Sequence, residues 1–215
     1  MKHKKNPNQK SFSFETVRRL TIYLRNLKKL KADNIETISS DKITNILKVS
    51  PAQFRKDLSY FGEFGKRGVG YNVDYLITQI ETIVGTHLAW NIALVGLGKV
   101  GSALLGFEGF SKFNIKITVV FDADPKKIGT SKHGIPVETV ENIPRIIGQK
   151  GIKLAIITTP PEPAQHIADS LIAAGVRGIL NFAPVILRAP ENVFISNVDM
   201  ACELESLIFF VKQNL

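Results

Sequence analysis

Gly96, Gly98 and Gly101 stand in the spacing G-x-G-x-x-G within the segment NIALVGLGKVGSALL, residues 91–105. The apolar run 92–95 before the motif reads as a buried strand, and the residues after it as the opening of a helix. In such a unit the first glycine permits a tight turn, the second lets a pyrophosphate approach the backbone, and the third lets helix pack on strand. The phosphates then rest on free N–H groups at a helix N-terminus. Gly96, Leu97, Gly98, Lys99, Val100 and Gly101 are therefore the candidate cofactor-binding loop. A second apolar strand, 115–121, ends in Asp122, where a carboxylate that binds the adenosine ribose belongs. The glycine spacing alone is weak, since a glycine turn also serves simple packing. The two strands and Asp122 make it a dinucleotide site.

Two clusters flank that motif. Thr159, Pro160 and Asn181 close two further apolar strands, 154–158 and 178–181, and ligands of parallel sheets sit beyond such carboxyl ends. Upstream, residues 1–70 hold 16 Lys or Arg against 6 Asp or Glu, whereas residues 71–215 hold 12 against 13. The whole net charge of +9 thus lies in the first third. That asymmetry predicts a polyanion partner for this part and a near-neutral second part.

The elements that must position these groups follow from periodicity. Val17, Leu20, Tyr23, Leu24, Leu27 and Leu30 share one face of a helix over 16–30. Ser40 is expected to cap a short helix with Ile43, Ile46 and Leu47 inward. Ser50, Pro51 and Gln53 spell a capping box that starts a third helix, 51–61. The last two helices with their tight turn form a helix-turn-helix. Phe54, Leu58 and Phe61 face inward, which leaves Ala52, Gln53, Arg55, Lys56 and Ser59 outward, residues suited to phosphates and base edges. Lys66 and Arg67, between glycines and ahead of Tyr71, make a basic wing. A helix over 73–84 ends at Gly85, the expected boundary. Beyond it strands and helices alternate, which predicts a parallel sheet, with only a weak segment at 134–140 and a short helix at 142–148.

The last segment, 198–211, covers more than one helical face with Met200, Leu204, Leu207, Ile208, Phe209, Phe210 and Val211, so it is expected to pack into a partner subunit. Docking onto its own domain is the alternative. The lone Cys202 excludes an internal disulfide and any zinc-finger spacing, and its apolar context predicts a buried, inert thiol. The basic opening residues lack the apolar core of a signal peptide, and no run approaches the ~20 apolar residues of a membrane span, which predicts a cytoplasmic chain with no membrane partner.

With these pieces together the sequence resembles the Rex family of redox-sensing transcriptional repressors, from Val17 to Val211. RKDLSYFGEFGKRGVGYNV (55–73) carries most of the likeness, with ILNFAPV (179–185) and Asn197-Val198-Asp199. The resemblance implies an α/β fold: a winged helix-turn-helix domain (1–85), a Rossmann-like NAD(H)-binding domain (86–198) and a swapped C-terminal dimerisation helix (199–215). It further implies a homodimer that binds palindromic double-stranded operator DNA and is released by NADH, with NADH and NAD as ligands. By the same carry-over Ala52, Lys56 and Ser59 face the major groove, Ser39, Ser40 and Arg55 hold phosphates, and Arg67, Gly68 and Tyr71 serve the wing. Arg25 would pair with Asp199 of the partner subunit in the DNA-bound form, and a Tyr would capture Asp199 when NADH is present. This chain departs there, with Phe107 in place of the Tyr and Met200 in place of a Phe beside Asp199.

Two other readings compete. An NAD-dependent oxidoreductase with an accessory DNA-binding domain needs a positioned acid or base and a substrate clamp. His3, His87, His133 and His166 are poorly placed for that, and little chain remains for a substrate domain, so the sequence predicts no catalytic residue and no metal. A DNA-binding sensor of a CoA-type ligand could use a similar glycine turn, against which Asp122 argues for a free ribose 2′-OH.

Overall fold

The computed structural model describes residues 12–66 and 68–214. The basic arm and Arg67 of the wing lie outside the described residues. The chain divides into two compact units, Met1–Leu88 and Ala89–Leu215.

In the first unit, α1 (Phe14–Ala32) starts at Ser13, whose hydroxyl accepts the Thr16 N–H at 3.1 Å. Leu20, Tyr23, Leu24, Leu27 and Leu30 form its buried stripe, with Val17 at the edge. A two-residue strand β1 (Thr37–Ile38) leads to α2 (Ser40–Leu47). The cap of α2 is Ser39, not the expected Ser40: the Ser39 hydroxyl accepts the Lys42 N–H, and Ser40 is the first helical residue. The inward face also differs. Ile43 and Thr44 are buried, while Ile46 is half exposed, because eight residues bury only a narrow arc. Lys48, in the left-handed conformation, turns the chain into α3 (Pro51–Ser59), capped by Ser50 as expected. Strand β2 (Tyr71–Asn72) pairs antiparallel with β1, and a Lys66–Gly70 bridge narrows the wing between α3 and β2. Helix α4 (Val73–Val84) is capped by Asn72 and ends at Gly85. Phe54 sits at the centre, edge-on to Tyr23 and Tyr71 at ring-centroid distances of 5.0 and 5.4 Å.

The second unit is a seven-stranded sheet. In chain order it contains β3 (Trp90–Val95), α5 (Lys99–Leu105), a 3-10 turn (Glu108–Phe113), β4 (Ile115–Asp122), β5 (Ser131–Lys132), β6 (Ile135–Thr139), α6 (Ile143–Lys150), β7 (Leu154–Ile157), α7 (Pro161–Ala173), β8 (Gly178–Asn181), β9 (Phe194–Asn197) and α8 (Met200–Gln213). The strand order is β5-β6-β4-β3-β7-β8-β9, parallel except for the β5–β6 hairpin. Both faces are covered, as continuous apolar strands require. Ala93, Val95, Val119 and Phe121 pack toward α6 and α7, whereas Ile92, Leu94 and Val120 pack with Leu97 and Leu105. Chain order reverses between β3 and β7, so the crevice lies beyond their carboxyl ends.

Sequence reading overlooked β9. Only four residues long, with Phe194 largely exposed, it has too short an apolar stretch to stand out, and its pairing with β8 defines it. In helix α8 none of the described residues is buried, so the alternative of docking onto its own domain does not hold. Leu204, Leu207, Ile208, Phe209, Phe210 and Val211 are each more than half exposed. Cys202, expected to be buried, is exposed as well, since it lies on a helix that no described residue of its unit buries.

Candidate nucleic-acid interface and dinucleotide site

The first unit presents its cations around α3. Ala52, Arg55, Lys56 and Ser59 are exposed, and Gln53 is half exposed at the rim of that face. The Arg55 guanidinium donates to the Ser40 hydroxyl at 3.1 Å. This joins the N-terminal turn of α2 to α3 at a groove of about 430 Å³ lined by Ser39, Ser40, Asp41, Arg55, Lys66 and Tyr71. Gly68 also borders it, with φ +80° at the wing tip. Burial pushes the Tyr71 phenol up, against the opposing charge of Arg55, so it is a neutral donor. Hydroxyls, a helix N-terminus and cations, groups able to hold phosphate oxygens, come together here.

Behind that surface lies an ion pair that sequence reading missed. Asp57, on the inward side of α3, is fully buried. Arg19 of α1 donates to both its oxygens, Nε at 2.6 Å and a terminal nitrogen at 2.7 Å, the bidentate fork. The Tyr23 hydroxyl and the Gln53 amide each donate at 2.7 Å. Burial alone would raise the carboxyl, but donation from Arg19, Tyr23 and Gln53 outweighs it and holds Asp57 below the usual carboxylate range. Gln53 therefore does not close the capping box at Ser50; its amide serves Asp57. The signal was present: Asp57 interrupts the inward arc of Phe54 and Leu58, and Arg19 borders the stripe of α1.

In the second unit the three glycines take separate parts. Gly96 has φ +95°, which an L-residue adopts only with strain. A Cβ on Gly101 would lie 2.0 Å from the Gly96 carbonyl oxygen, whereas one on Gly98 meets no atom within 4 Å. Gly98 thus borders open space, at an N-cap with no side-chain capping bond. Lys99 and Val100 follow it, exposed. Leu97 differs from its neighbours in the loop: its side chain is buried and its N–H is donated to Asp122 Oδ2 at 2.6 Å. On the β7 side, the Thr158 hydroxyl donates to the Gly96 carbonyl at 2.6 Å. The loop is thus fixed from both flanks by bonds within the protein.

Asp122 also accepts the Asp124 N–H at 2.8 Å and the Lys127 ammonium at 3.2 Å. Burial pushes its carboxyl up, but those two N–H groups and Lys127 prevail and lower it. The Thr159 Oγ1 is buried without a hydrogen-bond partner among the described residues, next to the glycine turn. Pro160 precedes the first turn of α7. Asn181 is committed within the protein: its amide donates to the Ala183 and Val185 carbonyls and to Asn197 Oδ1, and its oxygen accepts the Ala183 N–H. It shapes the chain beyond β8. A hollow of about 410 Å³ follows, lined by Phe182, Pro184, Ile186, Asn197, Asp199 and Met200. Asp199 caps α8 by accepting the Ala201 and Cys202 N–H groups, and Phe107 is exposed, edge-on to Phe110 at 5.1 Å.

Two family profiles match the chain: "Putative DNA-binding protein N-terminus" over residues 13–59 and "CoA binding domain" over 87–185. A redox-sensing transcriptional repressor Rex of Roseiflexus sp. (strain RS-1) is 43% identical over 93% of this chain and 90% of its own. That of Desulfitobacterium hafniense (strain DSM 10664 / DCB-2) is 47% identical over 91% and 93%. The chain belongs to the Rex family. Among solved structures, the Rex-family repressor RSP in complex with beta-NAD+ and operator DNA superposes with a TM-score of 0.91 at 30% identity, over 96% of this chain and 95% of that one. RSP in complex with beta-NADH gives 0.85 at 29% identity, over 96% and 97%.

The winged helix, the parallel sheet and the glycine turn expected of a Rex protein are therefore all present. Among the described residues no His, Cys, Asp and Glu cluster could hold a metal ion, and no helix is long and apolar enough to cross a membrane.

Proposed function

We propose that this Rex-family chain is a cytoplasmic NADH/NAD+ sensor that represses transcription by binding palindromic operator DNA as a homodimer and leaves the DNA when NADH binds. One observation carries the reading: a single chain joins a capped helix with a basic wing to a glycine turn open for a dinucleotide. Ser39, Ser40 and Arg55 hold phosphates; Ala52, Gln53, Lys56 and Ser59 meet base edges; Lys66, Arg67, Gly68 and Tyr71 form the wing. The site is a sensor rather than an enzyme, for Rex repressors are regulators.

The residues of the second unit fit NAD(H). Open space at Gly98 and the first-turn N–H groups of Lys99 and Val100 suit a pyrophosphate. The unpartnered Thr159 hydroxyl suits a polar ligand group, and Pro160 and the loop held by Asn181 complete the wall. Asp122 suits the adenosine ribose once Lys127 yields its place. The open face of α8 supports an exchanged dimer, in which Arg25 pairs with Asp199 of the partner subunit in the DNA-binding arrangement. Phe107 has no hydroxyl to capture Asp199, so closure on NADH relies on apolar packing of Phe107 and Met200. NADH releases DNA only by binding the two arrangements unequally, and operator must then weaken NADH by the same factor, typically worth ~1–3 kcal/mol.

The test is operator affinity in a gel shift with NAD and with NADH, alongside NADH fluorescence with common 2-oxo acids. NADH should lower affinity while NAD does not, and no turnover should occur. Asp199→Ala should weaken the operator complex, and Phe107→Tyr should make NADH a stronger releaser. Turnover, or release indifferent to NADH, overturns the reading.

A further inference from the structure

The carboxylate beneath the recognition helix bears on what that helix can read. Asp57 is held ionised by the two-pronged bond from Arg19 and the hydroxyl of Tyr23, so it has no proton to donate. The Gln53 atom 2.7 Å from its Oδ1 is therefore the amide nitrogen. Turning the amide over would set a carbonyl oxygen against a carboxylate oxygen with no proton between them. A solvent-exposed glutamine rotates freely and reads adenine through both N6 and N7, donating and accepting together. Here one end of the amide is anchored to the protein, and Oε1, without a partner among the described residues, is the end left to meet a base. At about 100° per residue, Gln53 lies on the flank of α3 beside Lys56, at the rim of the exposed face.

We propose that Gln53 reads the major groove as a hydrogen-bond acceptor of fixed polarity, set by Asp57, and so selects at one position of each half-site a base pair that presents an exocyclic amino group, adenine N6 or cytosine N4. The assignment rests on the DNA-binding reading above. Lys56 beside it is a donor alone and suits guanine O6 and N7. The pair thus offers one donor and one acceptor of unchangeable sense, which no free glutamine provides. Asp57 touches no DNA; it is a positioning residue acting through Gln53.

The experiment uses the full chain, with NAD+ present, to select duplexes from a pool of double-stranded DNA with a randomised centre. Each base of the selected duplex is then replaced by an analogue lacking one group: purine for adenine or 2-pyrimidinone for cytosine, which remove the amino group, and 7-deazapurines, which remove N7. At one position per half-site, loss of the amino group should weaken wild type about 10-fold or more, the scale of a specific base contact. Loss of N7 at the same pair should cost less than about 2-fold, and Gln53→Ala should show no penalty for the missing amino group. Asp57→Asn frees the amide to turn, so the ratio of the two penalties should fall toward one; a ratio is unmoved by a general loss of affinity. Should that variant not fold, the analogue profiles of wild type and Gln53→Ala still decide. Equal profiles for those two proteins, or an N7 penalty as large as the amino penalty, overturn the proposal while the selected duplex keeps the DNA-binding reading intact. A pool that yields no bound duplex overturns both.

Discussion

Each unit contains one buried carboxylate with a depressed pKa, and the two are held in different ways. Asp57 is satisfied by side chains, from Arg19 and Tyr23 of α1 and Gln53 of its own helix. Asp122 is satisfied by backbone, the N–H groups of Leu97 and Asp124, with Lys127 as a third donor at 3.2 Å. Removing the Arg19 fork would leave Asp57 without a countercharge inside the protein, with only the neutral donors Tyr23 and Gln53, so that carboxylate is committed to structure. Lys127 is a single long side chain, about one-third exposed, and its departure leaves Asp122 still bonded to two N–H groups. One carboxylate fixes a helix; the other can exchange a partner. The same depressed acidity marks a carboxylate locked by side chains in one unit and one held mainly by backbone in the other, so the pKa alone does not separate them.

The largest contrast between the units should be their response to salt. With the excess positive charge confined to residues 1–70, operator binding should fall ~10³-fold between about 50 and 200 mM salt if about six phosphates are neutralised. NADH binding to the near-neutral second unit should change only a few-fold over the same range, which parallel gel-shift and fluorescence titrations would show. A flat operator response breaks the contrast.

Exchanging the two carboxylates for alanine sharpens it. Asp57→Ala strands Arg19, whose side chain is 27% exposed, so the loss should be about 2–3 kcal/mol, below the ~3–5 kcal/mol of a fully buried pair. NADH affinity should be unchanged. Asp122→Ala should weaken NADH about 10- to 100-fold, the scale of lost hydrogen bonds to a charged group, with operator affinity intact in the absence of nucleotide. Denaturant midpoints and fluorescence titrations on the same samples give both numbers, and a mirrored result would reverse the two roles.

Acid should affect the clamp in a defined direction. The folded pKa of Asp57 is depressed below the ~3.9 of an unfolded aspartate. Its stabilisation is therefore fully present above about pH 4 and is lost as pH falls through the folded value. Tyr23 is shifted upward, so its part is fully present below its ordinary pKa of ~10 and is lost only as pH rises through the higher folded value. The stability gap between wild type and Asp57→Asn should be constant near neutrality and close below about pH 4, as read by urea midpoints. A gap that widens in acid contradicts this sign.

The smallest effect concerns Lys127. Its removal as Lys127→Ala frees the side of Asp122 that a ribose would use and deletes a cation that tolerates a 2′-phosphate. Preference for NADH over NADPH should rise several-fold, on the order of 1 kcal/mol for a partly exposed charge, in direct titrations of both nucleotides. A fall in that preference would make Lys127 part of the ribose contact.

The helices and the longer buried strands were legible because they are announced locally. Ser50-Pro51 starts α3, Gly85 ends α4, and the glycine spacing joins β3 to α5, all through interactions within a few residues. The cap of α2 was misplaced by one residue because Ser39 and Ser40 are chemically equivalent, and only the backbone conformation chooses between them. Strand β9 was missed because an edge strand of four residues is defined by its neighbour, not by its own pattern.

By itself, then, the sequence determined the division of charge, the order of helices and strands, and the glycine turn with Asp122 at the end of the next strand, since all of these rest on residue type and short-range spacing. Tertiary structure decided what distant residues do for one another: that Arg19 and Tyr23 meet Asp57 across two helices, that Gln53 serves that carboxylate rather than its own cap, that Lys127 occupies Asp122, and that α8 finds no cover within its own unit. Such pairings depend on where separate elements come to rest, and hydrophobic periodicity places a face without naming the polar atom on the other side of it.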